Sequence, residues 1–173
     1  MPRYQGELDG LCGLYAVANA FEFCFAKDPS RSFEFCAQSL ASSRWPAVLW
    51  EGTTFGDVRR MIAKCRQEHG LRKKLRVQVP FWKRFPKNDG EFWQQFDSQL
   101  NKDNVLCALI GIEKPRYHWI LATVSKNDIL LLDSTAGETL ALVNRKKLYA
   151  GARRPKKDMW LINPRELIIF EKR

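Results

Sequence analysis

Cys12 stands in Gln5-Gly6-Glu7-Leu8-Asp9-Gly10-Leu11-Cys12-Gly13-Leu14-Tyr15, at the head of an apolar stretch that runs to Phe25. A thiol in the first turn of a helix meets unpaired N–H groups and the positive end of the helix dipole. Both favour a thiolate. Gly10 and Gly13 flank it and leave room for another backbone to approach. Most free cysteines are small buried hydrophobes, and Cys24, Cys36, Cys65 and Cys107 are read that way. Position singles out Cys12 as a nucleophile.

A thiolate nucleophile needs a base, and the chain has two histidines. His69 precedes Gly70 at an expected helix end, where a His is a partner for the dipole. His118 opens an apolar run, Tyr117-His118-Trp119-Ile120-Leu121, and a polar side chain there needs a partner of its own. Asp133 can supply it. A two-residue turn at Lys126-Asn127 pairs Ser125 with Asp128, which sets Ile120 opposite Asp133 and His118 opposite Thr135. Side chains alternate along a strand, so His118 and Asp133 share a face as diagonal neighbours. Gln5, seven residues before Cys12, can donate its side-chain amide to a developing oxyanion beside the Cys12 N–H.

The elements that must hold these groups follow from periodicity. Leu11–Phe25 reads as a helix, with Leu14, Val17, Ala18, Phe21 and Phe25 on one face. A weaker helix is expected over Ser32–Ser42. A third, capped by Thr53 or Thr54, carries Phe55, Val58, Ile62 and Cys65 and stops at His69-Gly70. Leu75–Phe81 reads as a strand and Gly90–Asn101 as a helix with Asp89 as its cap. Val105–Ile112, Tyr117–Val124 and Ile129–Asp133 read as strands, the last two as a hairpin. Two late strands, Met159–Ile162 and Glu166–Phe170, are expected on either side of Asn163-Pro164. The fold class is therefore α+β, a helical N-terminal lobe carrying the nucleophile against a mostly antiparallel sheet carrying His118 and Asp133. The 173 residues suit one domain.

Gln, then Cys-Gly at a helix start, then His opening a strand, then Asp ending the next, resembles the papain-like cysteine peptidases. The likeness is greatest to the branch of bacteriocin-processing (double-glycine leader) peptidases, and Gln5, Cys12, His118 and Asp133 fall into its order. The resemblance covers these short segments and the helix-then-sheet order, not the middle of the chain. It implies that Cys12 attacks a carbonyl, His118 carries the proton and Asp133 orients the imidazole, with a peptide or isopeptide bond cleaved through a thioester. It implies no metal and no organic cofactor. Gly13-Leu14-Tyr15 replaces the Trp-containing signature of the plant enzymes. Ser134 stands where the leader peptidases favour Pro, so their substrate is not carried over. A deamidase or acyltransferase on the same triad has the same sequence signature.

Composition bounds the rest. Lys plus Arg outnumber Asp plus Glu by 29 to 19, a formal charge of +10. That charge suits an acidic protein or peptide substrate. Nucleic acid is a less favoured partner: Arg72-Lys73-Lys74 with Arg76, Arg145-Lys146-Lys147, Arg153-Arg154 and Lys156-Lys157 are basic runs, and Phe81, Trp82 and Phe85 alternate with Lys83 and Arg84. No recognised nucleic-acid motif accompanies them. The five cysteines include no Cys-x-x-Cys, and two distant histidines complete no zinc set. Neither a transmembrane run nor a signal-peptide core is present, so a cytoplasmic protein without a membrane partner is expected, signal-independent export being compatible with the same sequence. Oligomeric state is not encoded in any of these features. Glycines beside the nucleophile predict a small residue before the cut bond, and Trp119 either walls the cleft or packs on the opposite face.

Overall fold

The computed structural model describes residues 10–125, 128–133, 141–151 and 158–173. Among the described residues five α-helices and seven strands follow in the order α1 (Cys12–Phe25), α2 (Pro29–Gln38), α3 (Trp45–Glu51), α4 (Phe55–Glu68), β1 (Leu75–Gln78), α5 (Asp89–Leu100), β2 (Val105–Lys114), β3 (His118–Ser125), β4 (Asp128–Asp133), β5 (Ala141–Leu142), β6 (Leu148–Tyr149) and β7 (Trp160–Lys172). The strands form one sheet in the order β1-β7-β2-β3-β4-β5, with β6 added beside β7. Among the described residues only the short β6–β7 pairing is parallel. The α+β class is thus observed.

Period-2 alternation gives each strand two sides, and both are covered. Leu109, Trp119, Leu121, Leu132, Ile168 and Phe170 face the layer built from α1, α2 and α4. Ala108, Ile110, Ile120, Leu131, Leu167 and Ile169 pack with Phe92, Trp93 and Phe96 of α5. A sheet buried on both sides needs near-continuous apolar strands, as the run Leu-Cys-Ala-Leu-Ile over 106–110 supplies.

Local chemistry fixes the helix ends. Thr54 and Asp57 form a reciprocal capping box on α4, and the buried Asp57 also pairs with Arg44 and Arg60. The second helix starts earlier than its apolar residues suggest, because Asp28 accepts from Ser30 N at 2.9 Å and Pro29 takes the first helical position. It also ends earlier, at Gln38, where Ser39 turns its hydroxyl onto the Cys36 carbonyl. Asn88, not Asp89, caps α5 by accepting from Glu91 N. Asp89 instead receives Trp93 Nε1 and Ala150 N. The helix α3 is an addition to the sequence reading. Phe81 lies beyond β1, buried against α5.

The two late strands expected on either side of Asn163-Pro164 are one strand. Opposite β2, the partner of Ile112 is Ile162, whereas the partner of Ile110 is Leu167. The surplus residues of β7 form a bulge that takes in Asn163-Pro164. A bulge is where a sheet accepts a proline, since the missing N–H is not needed there. No helix among the described residues is long and apolar enough to cross a membrane.

Candidate active site

Three elements converge at one end of the sheet. Cys12 is the first residue of α1, His118 the first of β3 and Asp133 the last of β4. Strands β3 and β4 pair with Ser125 opposite Asp128 and Leu121 opposite Leu132. That is the register from which the diagonal His118–Asp133 pair follows, although Lys126 and Asn127 themselves lie outside the described residues. His118 Nε2 and Asp133 Oδ1 are 2.7 Å apart, with side chains 12% and 7% exposed.

Burial alone would push the proton off His118. The hydrogen bond to Asp133 opposes this, as do the hydrogen bond and charge of the neighbouring Cys12 sulfur, and together they hold the imidazole up at about 9. Cys12 therefore sits within the electrostatic reach of the same ring that Asp133 grips. With Nε2 committed to Asp133, Nδ1 is the nitrogen available to the thiol. Cys12 is 3% exposed. It lies in a helical turn whose leading N–H groups have no intrahelical acceptor, while Tyr15 N donates to Leu11 O at 3.1 Å.

The α1 start is held from behind. Gly10 N donates to Leu49 O at 2.7 Å. A Cβ at Gly10 would stand 2.7 Å from Val48 O and 2.8 Å from Gly52 N. One at Gly13 would run into the Thr53 hydroxyl, with Val58 Cγ2 at 3.1 Å. The backbone that approaches both glycines is thus the protein's own 48–53 segment. They therefore give no support to the expected preference for a small residue before the cut bond. Trp119 does not wall a cleft either. It is fully buried on the helix side, stacked on Phe55, and its Nε1 donates to Thr53 O at 3.3 Å. The residue after His118 thereby fixes the loop that packs against the residue after Cys12.

The residue before His118 is tied down as well. Tyr117 donates its hydroxyl to Glu166 Oε1. Glu166 leaves the β7 bulge and lies over Gly111, where a Cβ would stand 2.6 Å from the Glu166 Cβ. Burial, then the Glu166 carboxylate, pushes the Tyr117 phenol well above its ordinary range. Burial likewise raises the Glu166 carboxyl, against the pull of the Tyr117 hydrogen bond. Sequence reasoning missed Tyr117, Glu166 and Gly111. The signal was present: an acidic residue heading the apolar run that follows a strand-breaking proline.

Gln5 lies outside the described residues. His69 caps α4 but is not a charged dipole partner. Its Nε2 lies 2.9 Å from Ser32 Oγ, and burial, then Lys27 and Arg31, push its proton off. Of the basic runs, Arg72–Lys74 follows α4, Arg76 lies on β1 with its guanidinium 3.8 Å from Glu171, and Arg145 clamps Asp97 of α5 with bonds of 3.0 and 2.9 Å. Runs 153–157 fall outside the described residues. Of the aromatic residues near Lys83 and Arg84, Phe81 is core, while Trp82 and Phe85 remain exposed.

Protein-family models, curated proteins and solved structures were all compared with the chain, and none matches. The chemistry of the site must be read from its own side chains.

Proposed function

We propose that the chain is a papain-like thiol hydrolase, a cysteine peptidase acting on a peptide or isopeptide bond. The observation that carries this reading is the buried 2.7 Å contact between His118 and Asp133 beside a cysteine that opens a helix. A buried imidazole held protonated to about pH 9 is the counter-ion that a neighbouring thiolate needs.

The steps follow from those roles. The Cys12 sulfur attacks the carbonyl carbon, and the C=O electron pair moves to oxygen. That oxyanion forms at the head of α1, where the Cys12 N–H and the Gln5 amide are the donors in this reading. Collapse of the tetrahedral adduct breaks the C–N bond, and His118 gives its proton to the leaving amine. Water then attacks the thioester while His118 takes a proton from it. Breakdown releases the acid and restores Cys12 with His118 protonated. Asp133 keeps Nε2 protonated and the ring turned toward sulfur. The positive surface draws an acidic substrate protein toward the site. Nucleic-acid binding is less well supported, since Arg76 and Arg145 already face the carboxylates of Glu171 and Asp97.

The direct test is labelling of the native protein with limiting alkylating reagent at mildly acidic pH, read by peptide mass. Cys12 should be modified first although Cys24 is the more exposed thiol. Modification of Cys24 ahead of Cys12 would defeat the assignment. Product masses separate the related chemistries: hydrolysis splits the substrate and adds water, whereas deamidation leaves it whole and exchanges an amide for an acid. Gln5→Ala should lower turnover about a hundredfold, the usual loss of one oxyanion donor.

A further inference from the structure

Two of the four cysteines that the proposed chemistry leaves unused lie unusually close. Cys24, near the end of α1, and Cys107, on the central strand β2, have sulfurs 2.7 Å apart. A disulfide bond is about 2.05 Å long, so these sulfurs need to close by about 0.65 Å. The other pair, Cys36 of α2 and Cys65 of α4, is 3.6 Å apart and must close more than twice as far. Cys65 Sγ also has a carbonyl acceptor, Ser32 O at 3.4 Å. Access differs in the same sense. Cys24 is half-buried, whereas Cys36, Cys65 and Cys107 are fully buried.

We infer that Cys24 and Cys107 are a disulfide site, filled by exchange with a low-molecular-weight disulfide such as glutathione disulfide, while Cys36 and Cys65 remain thiols. The Cys24 sulfur attacks one glutathione sulfur, and the first glutathione leaves as a thiol. Cys107 then attacks the Cys24 side of the mixed disulfide and expels the second. The protein loses two hydrogens and two electrons, and one glutathione disulfide becomes two glutathione thiols. Burial pushes the Cys107 thiol up, as does its hydrogen bond with Cys24, which makes Cys24 the entry point. Cys12 does not compete in this exchange. It lies twelve residues away along the same helix, about 18 Å at 1.5 Å per residue. The bond would fasten the far end of the nucleophile's helix to β2, the strand that pairs with His118 through Ile112.

The experiment uses the full chain carrying Cys12→Ala, equilibrated natively in a glutathione redox buffer, quenched with acid and read by intact mass and peptide mapping. The expected result is loss of two hydrogens, one linked peptide joining Cys24 to Cys107, and Cys36 and Cys65 both alkylated after unfolding. The thermal midpoint should rise by roughly 10 °C, as for closing a long loop in a chain of this size. Adding Cys24→Ala, at a half-buried position, should abolish both changes. A chain that stops at a glutathione adduct on Cys24, stays fully reduced, or links Cys36 to Cys65 instead would overturn the inference. Retention of the two-hydrogen loss in the Cys24→Ala variant would do so too.

Discussion

The joint between α2 and α4 and the end of the sheet where β3 begins and β4 stops each hold a histidine against a side-chain oxygen. Ser32 Oγ lies 2.9 Å from His69, and Asp133 Oδ1 lies 2.7 Å from His118. The two rings nevertheless move in opposite directions. Burial, Lys27 and Arg31 drive the proton from His69 against the weaker pull of Asp28 and Glu68, and its hydroxyl partner offers no charge to keep it. Burial acts on His118 too, but a carboxylate and a sulfur overcome it. Aromatic neighbours do not make the difference. His69 meets Phe21 and Phe35, and His118 meets Trp160 edge-on. What separates a packing histidine from one fit for proton transfer is the charge of its partners, not its depth.

The sharpest way to break this contrast is to remove each ring. His118→Ala, like Cys12→Ala, should reduce turnover at least about 10⁴-fold with the fold retained, measured on the purified protein with circular dichroism in parallel. His69→Ala should leave turnover within a few-fold and cost about 1–2 kcal/mol in a denaturant titration, because Ser32 loses a buried partner. If His69→Ala abolished activity and His118→Ala did not, the roles assigned to the two regions would be reversed.

Asp133→Asn keeps a hydrogen-bond partner but removes the charge. Turnover should drop by about a hundred- to a thousandfold, short of the loss in His118→Ala. The pH–rate profile carries the more specific prediction. In the native chain the basic limb should fall near pH 9, where His118 loses its proton. In Asp133→Asn it should shift to lower pH, because an attraction that holds the proton is gone. A basic limb that does not move would detach Asp133 from the imidazole.

Stability should show the same opposition on a smaller scale. An unfolded His titrates near 6.5. His118 binds its proton more tightly when folded, so its stabilisation is complete below about pH 6.5 and is lost as pH rises toward 9. His69 binds its proton less tightly when folded, so its effect is a loss of stability as pH falls below about 6.5. Thermal midpoints across both windows, in the native chain and in each histidine variant, would isolate the two slopes. Smallest of all, Ser32→Ala should cost about 1 kcal/mol and leave the pH–rate profile unchanged.

Legibility in the sequence divided along the same line. The His118–Asp133 contact follows from alternation along two adjacent strands and a short connection, so a few residues determine it, and it was readable. Cys12 was readable as the start of an apolar helix. The charge state of His69 was not, because Lys27 and Arg31 come from the α1–α2 connection and from α2, about forty residues away in sequence. Tyr117–Glu166 was hidden for a related reason: it depends on a bulge that joins two apparent strands into β7 and sets Glu166 over Gly111. Asn88 took the cap expected of Asp89 because Asp89 is drawn to Trp93 and Ala150, a contact that only tertiary packing creates. The helix α3 carries few residues and one fully buried side chain, Val48, too little periodicity to announce itself.

The Trp119–Thr53 contact has a meaning for anyone who would rebuild this site elsewhere. Trp119 is the neighbour of His118, and Thr53 rests on the neighbour of Cys12. The spacing between sulfur and imidazole is thus set like the jaws of a caliper, by one rigid frame closed at the indole. A graft that moved the reacting side chains and left residues 48–54 behind would carry over the jaws without the frame, and the gap between them would be set by the new host.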